Sequence, residues 1–262
     1  MACIMLNKIK KIWHQRHAYL AILSHWGTKY KCPICGFHAK ELSPIGFDNP
    51  IIQKYKIIGA GKRNAGCPKC GSTDRERLVY TYLKFEERVF DKPTMKILHI
   101  APEMTIMQKF IKRGFVNYYC GDFFAEAQHA NYSHDFVKHM DIQNLSFDDS
   151  SFDIVICNHV LEHVFNERKA MTEIYRVLRK GGKAILQVPI SPILKETISE
   201  PSITDGKILE QKFGQKDHVR LFGADYTSEL KSCGFAVETL KIQSRFPKFG
   251  LNPKEVLYIG RK

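Results

Sequence analysis

From Lys96 onward the chain alternates short apolar runs with stretches of helical periodicity, and this alternation limits the fold more than any other feature. Candidate strands cover 96–100, 116–120, 137–140, 152–158, 183–189, 236–242 and 256–260. Helical patterns fall at 104–113, 167–179 and 225–232, with Gly114, Gly181 and Gly234 close to their ends, where helices commonly stop. Strands interleaved with helices imply an α/β fold: a mainly parallel sheet covered by helices on both faces. A chain of 262 residues has room for one medium-sized domain of this kind and something smaller. No apolar run approaches the ~18 residues of a membrane span. The stretch from Ala18 to Leu23 is too short for a signal peptide, so a cytoplasmic protein is expected.

The smaller part is marked by cysteines. "CPICG" at 32–36 and "CPKCG" at 67–71 repeat one pattern, with 31 residues between Cys35 and Cys67. A two-residue spacer lets both sulfurs of a pair reach one tetrahedral ion, and the following glycine frees the backbone beside the thiolates. Cys32, Cys35, Cys67 and Cys70 would together make a closed, structural zinc site; four reduced thiols or a redox pair are the alternatives. His38 is a substitute ligand or an ordinary surface histidine. Cys3, Cys120, Cys157 and Cys233 are scattered, which is no secreted disulfide framework.

These signals divide the chain into a basic amphipathic helix over 1–30, a zinc-binding module over 31–73, a connecting helix over 74–95 and an α/β domain over 96–262. In the first segment Met5, Ile9, Ile12, Trp13, Leu20 and Leu23 form one helical stripe. Such a helix packs on its own domain or makes peripheral contact with a membrane surface. Residues 1–90 carry 16 Lys and Arg against 6 Asp and Glu, whereas residues 91–262 carry 24 against 21. The basic excess therefore belongs to the N-terminal third, and suits RNA, an anionic membrane surface, a phosphorylated substrate or plain solvation.

The segment "DIQNLSFDDSSFDIVICNHVLEHVFNERKAMTEIYRVLRKGGKAILQVP", beginning at Asp141, resembles a class I S-adenosylmethionine-dependent methyltransferase. The likeness rests on three features. An acid and an apolar residue precede Leu-x-Phe; a strand starting Phe-Asp ends in Asn158-His159 before Val-Leu-Glu-His; and a helix runs into Arg-Val-Leu-Arg-Lys-Gly-Gly. The resemblance covers about 96–262. It implies a Rossmann-like, mainly parallel seven-stranded sheet, and S-adenosylmethionine as cofactor beside the structural zinc.

The same resemblance suggests roles for residues. Asp122 stands where a carboxylate accepts the ribose hydroxyls, and Asp141 with Ile142 where the adenine is read. Asn158 and His159 lie near the transferred methyl. His99, Ala101 and Glu103, within "ILHIAPE", fill the slot usually held by Asp-x-Gly-x-Gly-x-Gly, and Glu103 is expected to meet the cofactor's methionine amino group. In "FGQKDHVRLFG", Gln215, Asp217 and Arg220 are candidate substrate contacts, Arg220 for an anionic group. His218 is the candidate general base beside His159; a structural Asp-His-Arg cluster is the competing reading. His163 is expected to pack on its own helix, and 190–212 to form a lid or substrate-binding insertion. The function implied is methyl transfer to a small-molecule or carbohydrate-like acceptor. An RNA methyltransferase using the basic zinc module, and a non-catalytic binding module on the same scaffold, are the alternatives.

Overall fold

A computed structural model describes residues 22–125 and 136–262 of the chain. Seven strands form its central sheet: β1 (Ile97–Ile100), β2 (Tyr118–Asp122), β3 (Val137–His139), β4 (Phe152–Asn158), β5 (Leu178–Gln187), β6 (Ala236–Leu240) and β7 (Leu257–Arg261). Their order is β6-β7-β5-β4-β1-β2-β3. The pairs among β1 to β5 are parallel, and β7 is antiparallel to both β5 and β6. This is the mainly parallel α/β sheet the strand–helix alternation implies, with the Rossmann-like seven-stranded form the resemblance implies. The order reverses at β1, where β2 lies on one side and β4 on the other, so the crevice at their carboxyl ends is the switch point at which such sheets bind ligands.

Both faces of the sheet are covered, because side chains alternate along each strand. Leu98, Val155, Cys157, Ala184 and Leu186 pack on one face against Ala170, Met171 and Ile174 of α4 (Glu167–Val177) and Tyr226 and Leu230 of α6 (Tyr226–Ser232). Ile97, Ile154, Ile156 and Ile185 pack on the other face against Leu78 and Val79 of α2 (Asp74–Thr81) and Phe110 of α3 (Met104–Lys112). Cys32, Ile34 and Cys67 belong to that second cluster. The cysteine segment is therefore part of the covering of the sheet, and the divisions drawn at 73 and 95 are not gaps in the core.

The connecting helix is shorter than expected. Thr73 caps α2 through a reciprocal bond with Glu76, but regular α-helix ends at Thr81, with a π turn over Tyr82–Glu86. The expected helix over 1–30 lies outside the described residues up to 21; helix is present at 22–24, and Trp26–Lys31 is a strand paired with His38–Ala39. Two α-helices were not anticipated. A short helix α1 (Pro50–Lys54) lies between the cysteine pairs, and α5 (Gly206–Phe213) stands within the insertion after β5, capped by Asp205. They meet over a third apolar cluster of Ile52, Ile57, Leu209, Phe213, Val219 and Leu221. Backbone bonds between Ile58 and Ile190, of 2.9 and 3.2 Å, fasten the two insertions together.

Candidate active site and metal centre

The two knuckles have the same conformation. Gly36 N–H donates to Cys32 O and Gly71 N–H to Cys67 O, each at 2.9 Å, with φ of 75° and 74° at the two glycines. A side chain would be strained at those φ values, which is why glycine follows each pair. Sγ of Cys32 is 3.8 Å from Cys70 and Sγ of Cys35 is 3.6 Å from Cys67, and the four cysteines are unbridged. A tetrahedral ion bound at about 2.3 Å to each sulfur holds them about 3.8 Å apart, so the cluster fits zinc. An ion held there would supply the positive charge that four adjacent thiolates require. Arg77, fully buried, ties this centre to the C-terminal segment by donating to Ser72 O, Phe249 O and Gly250 O at 2.5, 2.7 and 2.6 Å.

At the switch point lies a cavity of about 370 Å³. Ile100 and Ala101 line it from the end of β1, Asp122 from β2, and Asp141 and Ile142 from the loop after β3; His159, His163 and Asp217 close its other side. Asp122 is buried and accepts from Phe124 N–H at 2.8 Å, while Asp141 accepts from Gln143 N–H at 2.8 Å. Each carboxylate is thereby fixed by its own turn.

The glycine-poor turn after β1 solves its backbone problem with alanine. Ala101 has φ 47°, in the left-handed region, and its N–H donates to Gly121 O at 2.8 Å. His159, just beyond β4, has φ 55° and donates from its N–H to Gln187 O at 2.8 Å. Both strand ends thus turn sharply at the same mouth, at a cost of roughly 1–2 kcal/mol for each residue.

His99 is not a cavity residue: it is fully buried in β1. Its Nδ1 meets the Tyr118 hydroxyl at 2.9 Å and its Nε2 meets Glu103 Oε2 at 2.8 Å. The other Glu103 oxygen accepts from the Asn158 side-chain N–H. A polar chain Tyr118–His99–Glu103–Asn158 therefore joins β2, β1, the start of α3 and β4. Burial opposes ionisation of Glu103, yet the His99 hydrogen bond and charge, with Asn158, hold its carboxyl below the usual carboxylate range. The same contacts orient Asn158, whose buried Oδ1 has no partner.

On the side of the cavity closed by His159, Glu162 is 1% exposed and its Oε1 is 3.2 Å from His159 Nδ1. Burial works against its charge, but the His159 bond and the nearby His163 and His218 push its pKa down to about 2. Burial also lowers His218 to about 4, leaving a neutral imidazole at neutral pH. Two expectations need correction here. His163 is not packed on a helix: residues 161–163 form a turn, and its ring lines the cavity beside Asp217. Arg220 is not a substrate clamp. It is fully buried, donating to Leu161 O, to Phe165 O at 3.3 Å and to Glu167 at 2.9 Å, so it holds the turn that carries Glu162 and His163. Gln215 is half-buried away from the cavity lining, whereas Asp217 reaches it.

The family described as "Methyltransferase domain" matches residues 102–186, from the turn after β1 into β5. The chain is 42% identical over 76 residues to an uncharacterized protein of Methanocaldococcus jannaschii, a match covering 29% of this chain and 32% of that protein. It is 37% identical over 60 residues to an uncharacterized methyltransferase of Bacillus subtilis, covering 22% and 24%. The chain thus spans about a third and about a quarter of these two relatives. A S-adenosylmethionine-dependent methyltransferase from Archaeoglobus fulgidus superposes with a TM-score of 0.47 at 15% identity, covering 71% of this chain and 93% of that one. One from Mesorhizobium loti gives 0.44 at 15% identity, covering 64% and 91%. The sheet order shows a Rossmann-like α/β fold, and over 102–186 the chain is similar to methyltransferase domains.

Proposed function

We propose that the chain transfers a methyl group from S-adenosylmethionine to a small-molecule or carbohydrate-like acceptor, and that the four cysteines hold a structural zinc ion. The observation that carries this reading is the convergence of Ala101, Asp122, Asp141, Ile142 and His159 on one cavity at the switch point of a parallel sheet. The cofactor fits these residues in one further respect: the buried, unpartnered Asn158 Oδ1 is an acceptor suited to its ammonium group. When bound, the cofactor supplies an electrophilic methyl on a sulfonium.

The chain's own part is to bind, orient and move a proton. Asp122 accepts from ribose hydroxyls; Asp141 and the buried Ile142 read the adenine by hydrogen bonding and apolar contact. Glu103 acts as a positioning residue, through Asn158 and His99. His159, which lines the cavity, is the candidate base for an acceptor's proton; His218 is buried outside that lining and is not a base, and Asp217 orients His163 at the mouth. Mass spectrometry of small molecules released from the purified protein tests the reading: S-adenosylmethionine or its demethylated product is expected, and an unrelated ligand in the cavity would contradict it. The basic excess of residues 1–90 favours RNA as a second acceptor class. Binding that weakens steeply with salt would support RNA, and no binding at low salt would remove it.

A further inference from the structure

We infer that Glu162, His163 and His218 form a second metal site, distinct from the four cysteines, which holds a divalent cation on the acceptor side of the cavity. One carboxylate and two imidazoles place their ligand atoms within 4.8 Å of one another. Ligands on one ion at about 2.1 Å lie up to about 4.2 Å apart, so small side-chain adjustments close the set.

The hydrogen bonding independently calls for positive charge at this point. His163 Nδ1 faces Asp217 O at 3.1 Å and Asp217 Oδ2 at 3.3 Å, so Nδ1 carries the proton and donates. Nε2 points toward Glu162 Oε1 at 4.0 Å, a gap too long for a hydrogen bond and close to the span of two ligands on one ion. Glu162 Oε2 is buried and has no partner at all, and an unsatisfied carboxylate oxygen in the interior is costly. The His218 ring lies against His163, 4.7 Å between centroids and nearly perpendicular. An imidazole whose outer nitrogen donates to a carboxylate or carbonyl is the usual form of a metal-ligating histidine, and Asp217 is that partner here. The Arg220 guanidinium and the Val219 N–H bond to Glu162 O, at 3.0 Å, brace the turn from behind.

The donor set, one oxygen and two nitrogens, suits manganese, iron(II), cobalt or zinc. Three protein ligands leave positions open toward the cavity that His163 and Asp217 line. On the methyl-transfer reading, an acceptor's oxygen occupies those positions and is thereby fixed opposite the methyl; the site itself does not depend on that reading.

Manganese(II) alone is the probe, because it favours oxygen and nitrogen ligands and does not compete for thiolates. The full, zinc-loaded chain is titrated with it while free manganese is followed by electron paramagnetic resonance. One equivalent is expected to bind saturably. Glu162→Gln should weaken binding by about 100-fold or more and Asp217→Asn, which only loosens His163, by about 10-fold. Lack of saturable uptake by the wild-type chain would overturn the site and would indicate a bare imidazolium–carboxylate pair. Binding unchanged in both variants would place the metal elsewhere. Cofactor binding is measured separately on the same samples without manganese, so failure of the methyl-transfer reading is distinguishable from failure of the metal site.

Discussion

Replacing Glu103 by alanine separates a cofactor-positioning network from an accidental half-buried carboxylate. The side chain accepts from His99 Nε2 at 2.8 Å and from Asn158 Nδ2, and both donors belong to buried residues. Stranding each donor costs about 1–3 kcal/mol, so Glu103→Ala should lose about 2–5 kcal/mol of stability. At about 2–4 °C per kcal/mol, the midpoint of thermal unfolding falls by roughly 5–15 °C. The loss depends on pH in a defined direction. The folded carboxyl titrates below its ordinary value of 4.5, so its contribution is present above that value and fades as the pH drops below it. Wild type and variant should converge in stability as the pH falls into the acid range. Affinity for S-adenosylmethionine should also fall about tenfold, since Asn158 loses the contact that orients it. An unchanged melting midpoint at neutral pH would refute the network, and lost stability with full cofactor affinity would refute its positioning role.

Ala101→Gly should stabilise the chain by a few tenths to about 1 kcal/mol in urea unfolding, because the left-handed φ of 47° costs glycine nothing, whereas Ala101→Val should destabilise it. Cys67→Ser should lose the zinc and lower the unfolding midpoint of the whole chain, since Cys67 packs in the same cluster as Leu78, Ile154 and Ile185 of the sheet face; metal analysis with calorimetry checks both. Arg220→Met should cost about 3–5 kcal/mol, as it leaves Glu167 and two carbonyls without their buried donor, and chemical unfolding measures the loss.

The sheet was legible because its strands are short, apolar and separated by helical periods: β4 begins and ends where "FDIVICN" does. The cysteine repeat was legible for the same reason, since its spacing carries the chemistry. What escaped is tertiary. Nothing local in "CPICG" or "CPKCG" shows that Cys32 and Cys67 help cover a sheet formed by residues 97–261. The helix Gly206–Phe213 sits in a stretch of mixed polarity, and its apolar side makes sense only against Ile52 and Ile57, more than 140 residues earlier. His163 was read with the wrong period, because a turn follows β4 where a helix was expected. Arg220 presents the same charge to a reader whether it faces a ligand or the carbonyls of a buried turn; only burial decides. The signal available for the Glu162–His163–His218 grouping was its residue types, an acid and a histidine just after β4 and a second histidine two residues before Arg220.

Isothermal calorimetry of S-adenosylmethionine into the zinc-loaded full chain tests the central claim most directly. One molecule should bind per chain, with affinity reduced about tenfold or more in Asp122→Asn, where an acceptor for the ribose hydroxyls is weakened. Absence of binding by the folded wild-type chain, or identical affinity in Asp122→Asn, would contradict the assignment of the switch-point cavity to the cofactor.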